Sequence, residues 1–251
     1  MKISMHGAIA LQAGLCLIAA NAAFAQAAPT ESYTYATYHV CDLNQQDRAD
    51  EIFGQLDKPI LDAAVAAGTI TAYGYNAHNT GGRWRRVYYY MAPSIAALLD
   101  AGKKIADQVD AKNRKLSDEF SKICNAHDDY IWHRVAGSIG TTAPGGATFS
   151  TYFVCDATRE VEADALVKQV FAPVYEKLVA DGKLKSWGWL EHIVGGQFRR
   201  LATMGAADMK SLMAARAEVV QALEDNPLGD TFTEICDSHA DYMWEVRNSN
   251  P

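Results

Sequence analysis

Two copies of one short motif hold the residues of this chain best suited to chemistry. Residues 73–86 read Tyr73-Gly-Tyr-Asn-Ala-His78-Asn-Thr-Gly-Gly-Arg-Trp-Arg-Arg86, and residues 187–200 read Trp187-Gly-Trp-Leu-Glu-His192-Ile-Val-Gly-Gly-Gln-Phe-Arg-Arg200. An imidazole, with an unperturbed pKa near 6.5, suits proton transfer, so His78 and His192 are the candidate catalytic acid–base groups. Arg85, Arg86, Arg199 and Arg200 are candidate holders of an anionic substrate group, because guanidinium offers a planar fork to carboxylate or phosphate. Each also has a structural reading. The histidines would brace a hairpin, and the arginines would pair with Asp42/Asp156 or Asp129/Asp241. A third constellation, His127-Asp-Asp129-Tyr130 and His239-Ala-Asp241-Tyr242, reads as an anchored end with its tyrosine in the core. A metal site from His78, His127 and Asp129 has no His-x-x-x-His or His-x-Glu spacing behind it, so no metal is expected.

The elements around these residues repeat as well. Tyr35-Ala-Thr-Tyr-His-Val-Cys41-Asp42 corresponds to Phe149-Ser-Thr-Tyr-Phe-Val-Cys155-Asp156, and Phe120-Ser-Lys-Ile-Cys124 to Phe232-Thr-Glu-Ile-Cys236. Tyr33–Cys41 has the Tyr, Thr and Val content of a strand. Arg48–Ala67 places Ile52, Phe53, Leu56, Ile60 and Leu61 at helical spacing. Pro59 should kink or split that helix and Gly68 should cap it. Ile70–His78 and Trp84–Met91 read as strands joined through Asn79-Thr-Gly-Gly82. A second helix starts after Ser94, and Asp118–Trp132 forms a last element, helix or strand. In the first copy Ala72 and Gly74 share the face of His78, leaving room for a cavity between sheet and helices.

That order, β-α-β-β-α plus a final element, is the split βαβ ferredoxin-like pattern. Phe149, Thr151 and Phe153 alternate with Tyr152 and Val154, so the sheet is bulky on both faces and needs a second partner. Here the chain resembles the dimeric α/β-barrel superfamily, in which two ferredoxin-like units pack sheet against sheet. The resemblance covers nearly all of residues 33–246. It implies an α+β chain of two ferredoxin-like βαββα units forming an internal pseudo-dimeric α/β barrel. The repeats would span 33–135 and 149–246, with a Gly/Thr/Ala-rich linker at 136–148. Relatives in that superfamily include cofactor-free cyclases and oxygenases, haem-dependent enzymes and stress-associated proteins.

Residues 1–25 have a basic start, an uncharged middle and an Ala-x-Ala end, the pattern of a cleavable export signal. The mature chain would be periplasmic or secreted, with no membrane attachment. Of five cysteines, Cys16 leaves with the signal. The even remainder, without a Cys-x-x-Cys pair, favours disulfides. Four cysteines allow three pairings, and exchange of the copies cannot choose between them. Cys41–Cys124 and Cys155–Cys236 are favoured, since each joins the end of a first strand to the last element of its own copy. A net charge of −7 without a long basic cluster argues against nucleic acid as a partner.

The copies differ after the hairpin, where Tyr88, Tyr89 and Tyr90 stand against Ala202, Thr203 and Met204. Tyr88 and Tyr90 would make the first pocket polar and aromatic, as candidate substrate-binding residues, and the second would be more open and apolar. The expected function is binding of a small organic molecule by a monomer, extended to a cofactor-independent acid–base step of lyase, cyclase or isomerase type. A non-catalytic binding or interaction module and a haem protein ligated through His78 or His192 are the rival readings.

Overall fold

The computed structural model describes residues 31–138, 142–224 and 226–250, so the export signal expected at 1–25 lies outside the described residues. Eight strands alternate with helices: β1 (Tyr33–Val40), α1 (Gln46–Ala66), β2 (Ala72–Thr80), β3 (Arg86–Ala92), α2 (Ile95–Ile123) and β4 (Ala126–Gly137). Then follow β5 (Ala147–Val154), α3 (Glu160–Leu166), a π-helical turn (Val167–Phe171), α4 (Ala172–Ala180), β6 (Ser186–Val194), β7 (Arg200–Ala206), α5 (Met209–Glu224), α6 (Leu228–Ile235) and β8 (Ser238–Asn250). All strand pairs are antiparallel and close into a barrel in the order β1-β3-β2-β8-β5-β7-β6-β4. β4 pairs with β1 on one side and β6 on the other, while β8 pairs with β5 and β2. The last strand of each half of the chain therefore closes the barrel against the other half.

The period-2 pattern decides what each strand face meets. Along β1, Thr34, Ala36 and Tyr38 are buried toward the barrel axis, while Tyr35 and His39 face the helices. One end of the barrel is filled by rings from both halves, including Tyr38, Trp84 and Trp132 with Tyr152, Phe198 and Trp244. The outer faces carry separate apolar layers, one under α1 and α2 and the other under α3 to α6. Disulfides join Cys41 to Cys124 and Cys155 to Cys236, across 83 and 81 residues.

Two local expectations change. Pro59 does not split α1, which runs unbroken through it. The carbonyl of Gln55, deprived of its helical N–H by the proline, accepts instead from Lys112 Nζ at 2.9 Å. The counterpart Pro173 sits at the start of α4, directly after the π-helical turn. The stretch 118–132 is not one element either. Its first part belongs to α2, which begins as expected with Ser94 Oγ accepting from the Ala97 N–H at 3.1 Å. α2 kinks at Asn113 (φ −162°, ψ 86°), and in the second copy, two residues shorter here, the same region separates into α5 and α6, with Pro227 at the start of α6.

Candidate functional site

The repeated hairpins lie at the ring-filled end of the barrel. Gly81 and Gly195 have φ of +132° and +146°, which only glycine adopts without strain. Each also lies against a tyrosine of the other half, where a Cβ would fall 2.8 Å from Tyr242 or 2.3 Å from Tyr130. The Gly-Gly pair is thus explained by turn geometry and by close approach across the barrel.

The histidines belong to the same device. Arg85 Nη1 lies 3.0 Å from His78 Nδ1, and Arg199 Nη1 lies 2.9 Å from His192 Nδ1. An arginine can only donate, so both imidazoles accept at Nδ1 and carry their proton on Nε2. Burial, followed by the adjacent guanidinium, holds both below the usual histidine range. Arg85 also donates to the Gly82 carbonyl at 2.6 Å, and Arg199 to Glu160 at 2.6 Å. The rings stand edge-on to Tyr242 and Trp244, and to Tyr130 and Trp132. Neither histidine lines either of the two principal cavities. As candidate acid–base groups they therefore sit apart from the sheet–helix cavity expected for them. The residue with room beside it in the sequence pattern faces the barrel rim, not the helices.

The second arginine of each pair points the other way, under the first helix of its half. Arg86 is 2% exposed and forms a double bond pattern to Asp50, at 2.5 and 2.8 Å, with Gln46 at 2.8 Å. Arg200, also 2% exposed, meets Asp164 at 2.8 and 2.9 Å and Glu160 at 3.1 Å. The arginines are therefore satisfied within the protein, though by carboxylates of α1 and α3 and not by the expected Asp42/Asp156 or Asp129/Asp241. Tyr75 and Trp189 add hydrogen bonds to Asp50 and Asp164 at 2.9 and 2.7 Å.

The two sheet–helix layers differ in what fills them. In the first, Tyr88 packs toward Phe53, Tyr90 stacks on Tyr35 at 5.5 Å, and the Tyr90 hydroxyl sits over Gly102. Tyr88 and Tyr90, the candidate substrate-binding residues, thus pack into the first layer. In the second layer their counterparts are Ala202 and Met204, and a cavity of about 310 Å³ lies between the sheet and helices α5 and α6. Phe149, Phe153, Phe171, Tyr175, Trp189 and Phe232 form its walls. Its polar end is Arg216, Asp241 and His239. Arg216 lies 4.7 Å over the Phe149 ring and 3.4 Å from Asp241 Oδ2, which is 3.7 Å from His239 Nε2. The buried Asp241 Oδ1 and Trp187 Nε1 have no partner within the protein. His239 was singled out by the motif, but Arg216 was not. Its signal was present in the repeat, where Arg216 stands opposite Gly102. Among the described residues no cluster of three His, Cys, Asp or Glu side chains is arranged to hold a metal.

No protein-family model matches the chain, and no curated protein does. Solved structures do match in fold. A protein of Lactobacillus acidophilus NCFM proposed to be a monooxygenase superposes with a TM-score of 0.59 at 8% identity, covering 87% of this chain and 95% of that one. An anthrone oxidase-like protein gives 0.55 at 15% identity, over 88% of this chain and 93% of that one. A chlorite dismutase from Candidatus Nitrospira defluvii gives 0.53 at 8% identity, over 86% and 92%. With the closed eight-stranded sheet, these place the chain in the dimeric α/β-barrel fold.

Proposed function

We propose that this protein binds a small, largely aromatic organic molecule in the cavity of the second sheet–helix layer. The observation that carries the reading is the asymmetry of a repeated architecture. One layer is plugged by Tyr88 and Tyr90, and the other is open, walled by rings and closed at one end by charge. A cavity of about 310 Å³ falls in the range of small-molecule sites, roughly 300–1,000 Å³. The unpartnered Trp187 N–H asks for an acceptor on the ligand, and Asp241 Oδ1 for a donor. A hydroxylated aromatic compound meets both, since a hydroxyl accepts and donates. For acid–base chemistry, His239 beside Asp241 is the proton-transfer group this cavity offers. The similar folds include proteins described as oxidase-like and as monooxygenases, which is consistent with an organic ligand.

The frame of the reading is an exported monomer built as an internal pseudo-dimer, with units at 33–135 and 149–246 and a linker at 136–148. Support comes from the repeated sequence, the uncharged N-terminal stretch and one disulfide within each unit. No described helix is long and apolar enough to cross a membrane.

The test uses 2-naphthol as probe and tryptophan fluorescence as readout. Wild type should bind it, and Ala202→Tyr with Met204→Tyr, which imports the plug of the first layer, should weaken binding by about tenfold or more. Asp241→Asn should weaken it less. Equal binding by wild type and the double variant would remove this cavity from consideration.

A further inference from the structure

A second cavity lies inside the barrel, at the end opposite the hairpins, with a volume of about 420 Å³. All eight strands contribute to it, and it is bounded below by Trp132, Tyr152 and the other rings of the barrel core. Its walls are mostly apolar, but they carry one charge in an unusual position. Arg134 of β4 lines the cavity, and among the described residues no carboxylate lies within ion-pair distance of it. Among the described residues its guanidinium makes only long contacts, 3.4 Å each, to the carbonyls of Ser138 and Trp187, and its Nε has no partner. Arg134 is half-buried, and a cation even partly withdrawn from water is costly when left uncompensated. The counterpart on β8 is Val246, and the fold does not require an arginine here.

A second group points the same way. Asn76 is 4% exposed, lines the cavity and has an amide oxygen without a partner. Its counterpart is Leu190. Thr34, Ser150 and Thr203 add hydroxyls to the wall. The one carboxylate in the lining, Glu31, sits at the rim, mostly exposed and held by His133 at 2.9 Å. The interior therefore carries a cation on the open side of its Trp132 floor, is apolar along its length and is supplied with polar atoms lacking partners.

We infer that the barrel interior is a ligand site for a small monocarboxylate with an apolar body. The carboxylate would take the forked donors of Arg134, and the body would lie against Trp132, Leu190 and Leu201. The two cavities share only Trp187 and Met204 in their linings, on opposite sides of the sheet, and the barrel proposal does not depend on what the sheet–helix cavity binds.

Phenylacetate is the probe, followed through the indole ¹⁵N resonances of the full chain. Trp132 reports on the barrel interior, since its indole N–H meets Tyr38 Oη at 3.3 Å in the cavity floor; Trp189 reports on the sheet–helix cavity. Phenylacetate should shift Trp132 in wild type, and phenylacetamide, its uncharged analogue, should not. Arg134→Met should weaken binding by about tenfold or more, Arg134→Lys should retain part of it, and Ala202→Tyr, at a residue that lines only the sheet–helix cavity, should leave it unchanged. An unmoved Trp132 at about 20 mM phenylacetate, equal shifts with the amide, or full binding by Arg134→Met would each overturn the proposal. Loss in Ala202→Tyr with shifts at Trp189 would assign the probe to the other cavity and equally overturn it. The comparison of acid with amide needs no variant, so it stands even where Arg134→Met folds poorly.

Discussion

The two sheet–helix layers share a plan and differ in what they do with it. Each has a buried arginine under its first helix, a disulfide at its far end and an aromatic cluster against the sheet. In the first layer the tyrosines of β3 reach into that cluster, and Gly102 makes way for the hydroxyl of Tyr90. In the second, small or flexible residues replace the tyrosines and Arg216 replaces the glycine, so a cavity and a charge appear together. A repeated scaffold can thus diverge without changing its framework: one copy fills its layer with side chains and the other leaves a cavity.

The strongest test of the shared framework is the buried arginine. Arg86→Ala would leave Asp50 buried without its partner, at a cost of about 3–5 kcal/mol in urea unfolding. Arg200→Ala should cost more, because it leaves Asp164 with the Trp189 N–H alone, whereas Asp50 keeps Tyr75 and has Arg247 within 4.0 Å. Equal losses would mean that Arg247 does nothing to compensate Asp50.

The packing difference is tested next. Tyr90→Ala should open a cavity and cost about 3–4 kcal/mol, whereas Met204→Ala, which enlarges a space already present, should cost only about 1–2 kcal/mol. Similar values would argue that the second layer is as tightly packed as the first.

Titration separates the layers further. Burial raises Asp57 to about 6 and lowers His39 to about 4, and the counterparts of both are phenylalanines, Phe171 and Phe153. The folded protein holds the Asp57 proton up to about pH 6, whereas the unfolded chain releases it near 3.8. The contribution of Asp57 is thus full below 3.8 and declines as pH rises toward 6. Asp57→Asn should raise stability at pH 7 by about 2 kcal/mol, allowing for its partial exposure. His39 has the opposite sign. Its contribution is intact above 6.5 and is lost as pH falls toward 4, because the unfolded chain takes up the proton first. His39→Phe should remove about 2 kcal/mol of acid sensitivity at pH 5. Unfolding curves at pH 5 and 7 that do not respond to either substitution would contradict the buried placement of these groups.

The smallest effects belong to the hairpins. His78→Ala and His192→Ala should each cost about 1 kcal/mol, and by similar amounts, since each loses one hydrogen bond from an arginine. A large difference between them in thermal midpoint would break the symmetry assigned to these turns.

Much of this architecture was legible in the residues. The repeat, the order of elements and the two-faced strands follow from spacing alone, because alternation at period 2 and helical spacing are local signals. The gap between copies at Ala202 and Met204 also pointed to the layer that is open. What could not be read were relations between distant segments. Nothing local shows that Arg86 reaches Asp50 across 36 residues, or that Lys112 repairs the carbonyl exposed by Pro59. The barrel cavity was hidden for a related reason. Arg134 follows Trp132 and His133 in what reads as an amphipathic strand, and only closure of the sheet reveals that no carboxylate faces it.

The exchange of closing strands has a consequence for assembly. The β2–β8 and β4–β6 edges are the same kind of join, so nothing in their pairing distinguishes a partner on the same chain from one on another molecule. Intramolecular closure is favoured by tethering, which keeps the two edges at an effective concentration of about a millimolar. At protein concentrations approaching that level, as on refolding at high density, first and second halves of different molecules should compete for the same edges and give reciprocal, strand-exchanged dimers with an unchanged barrel.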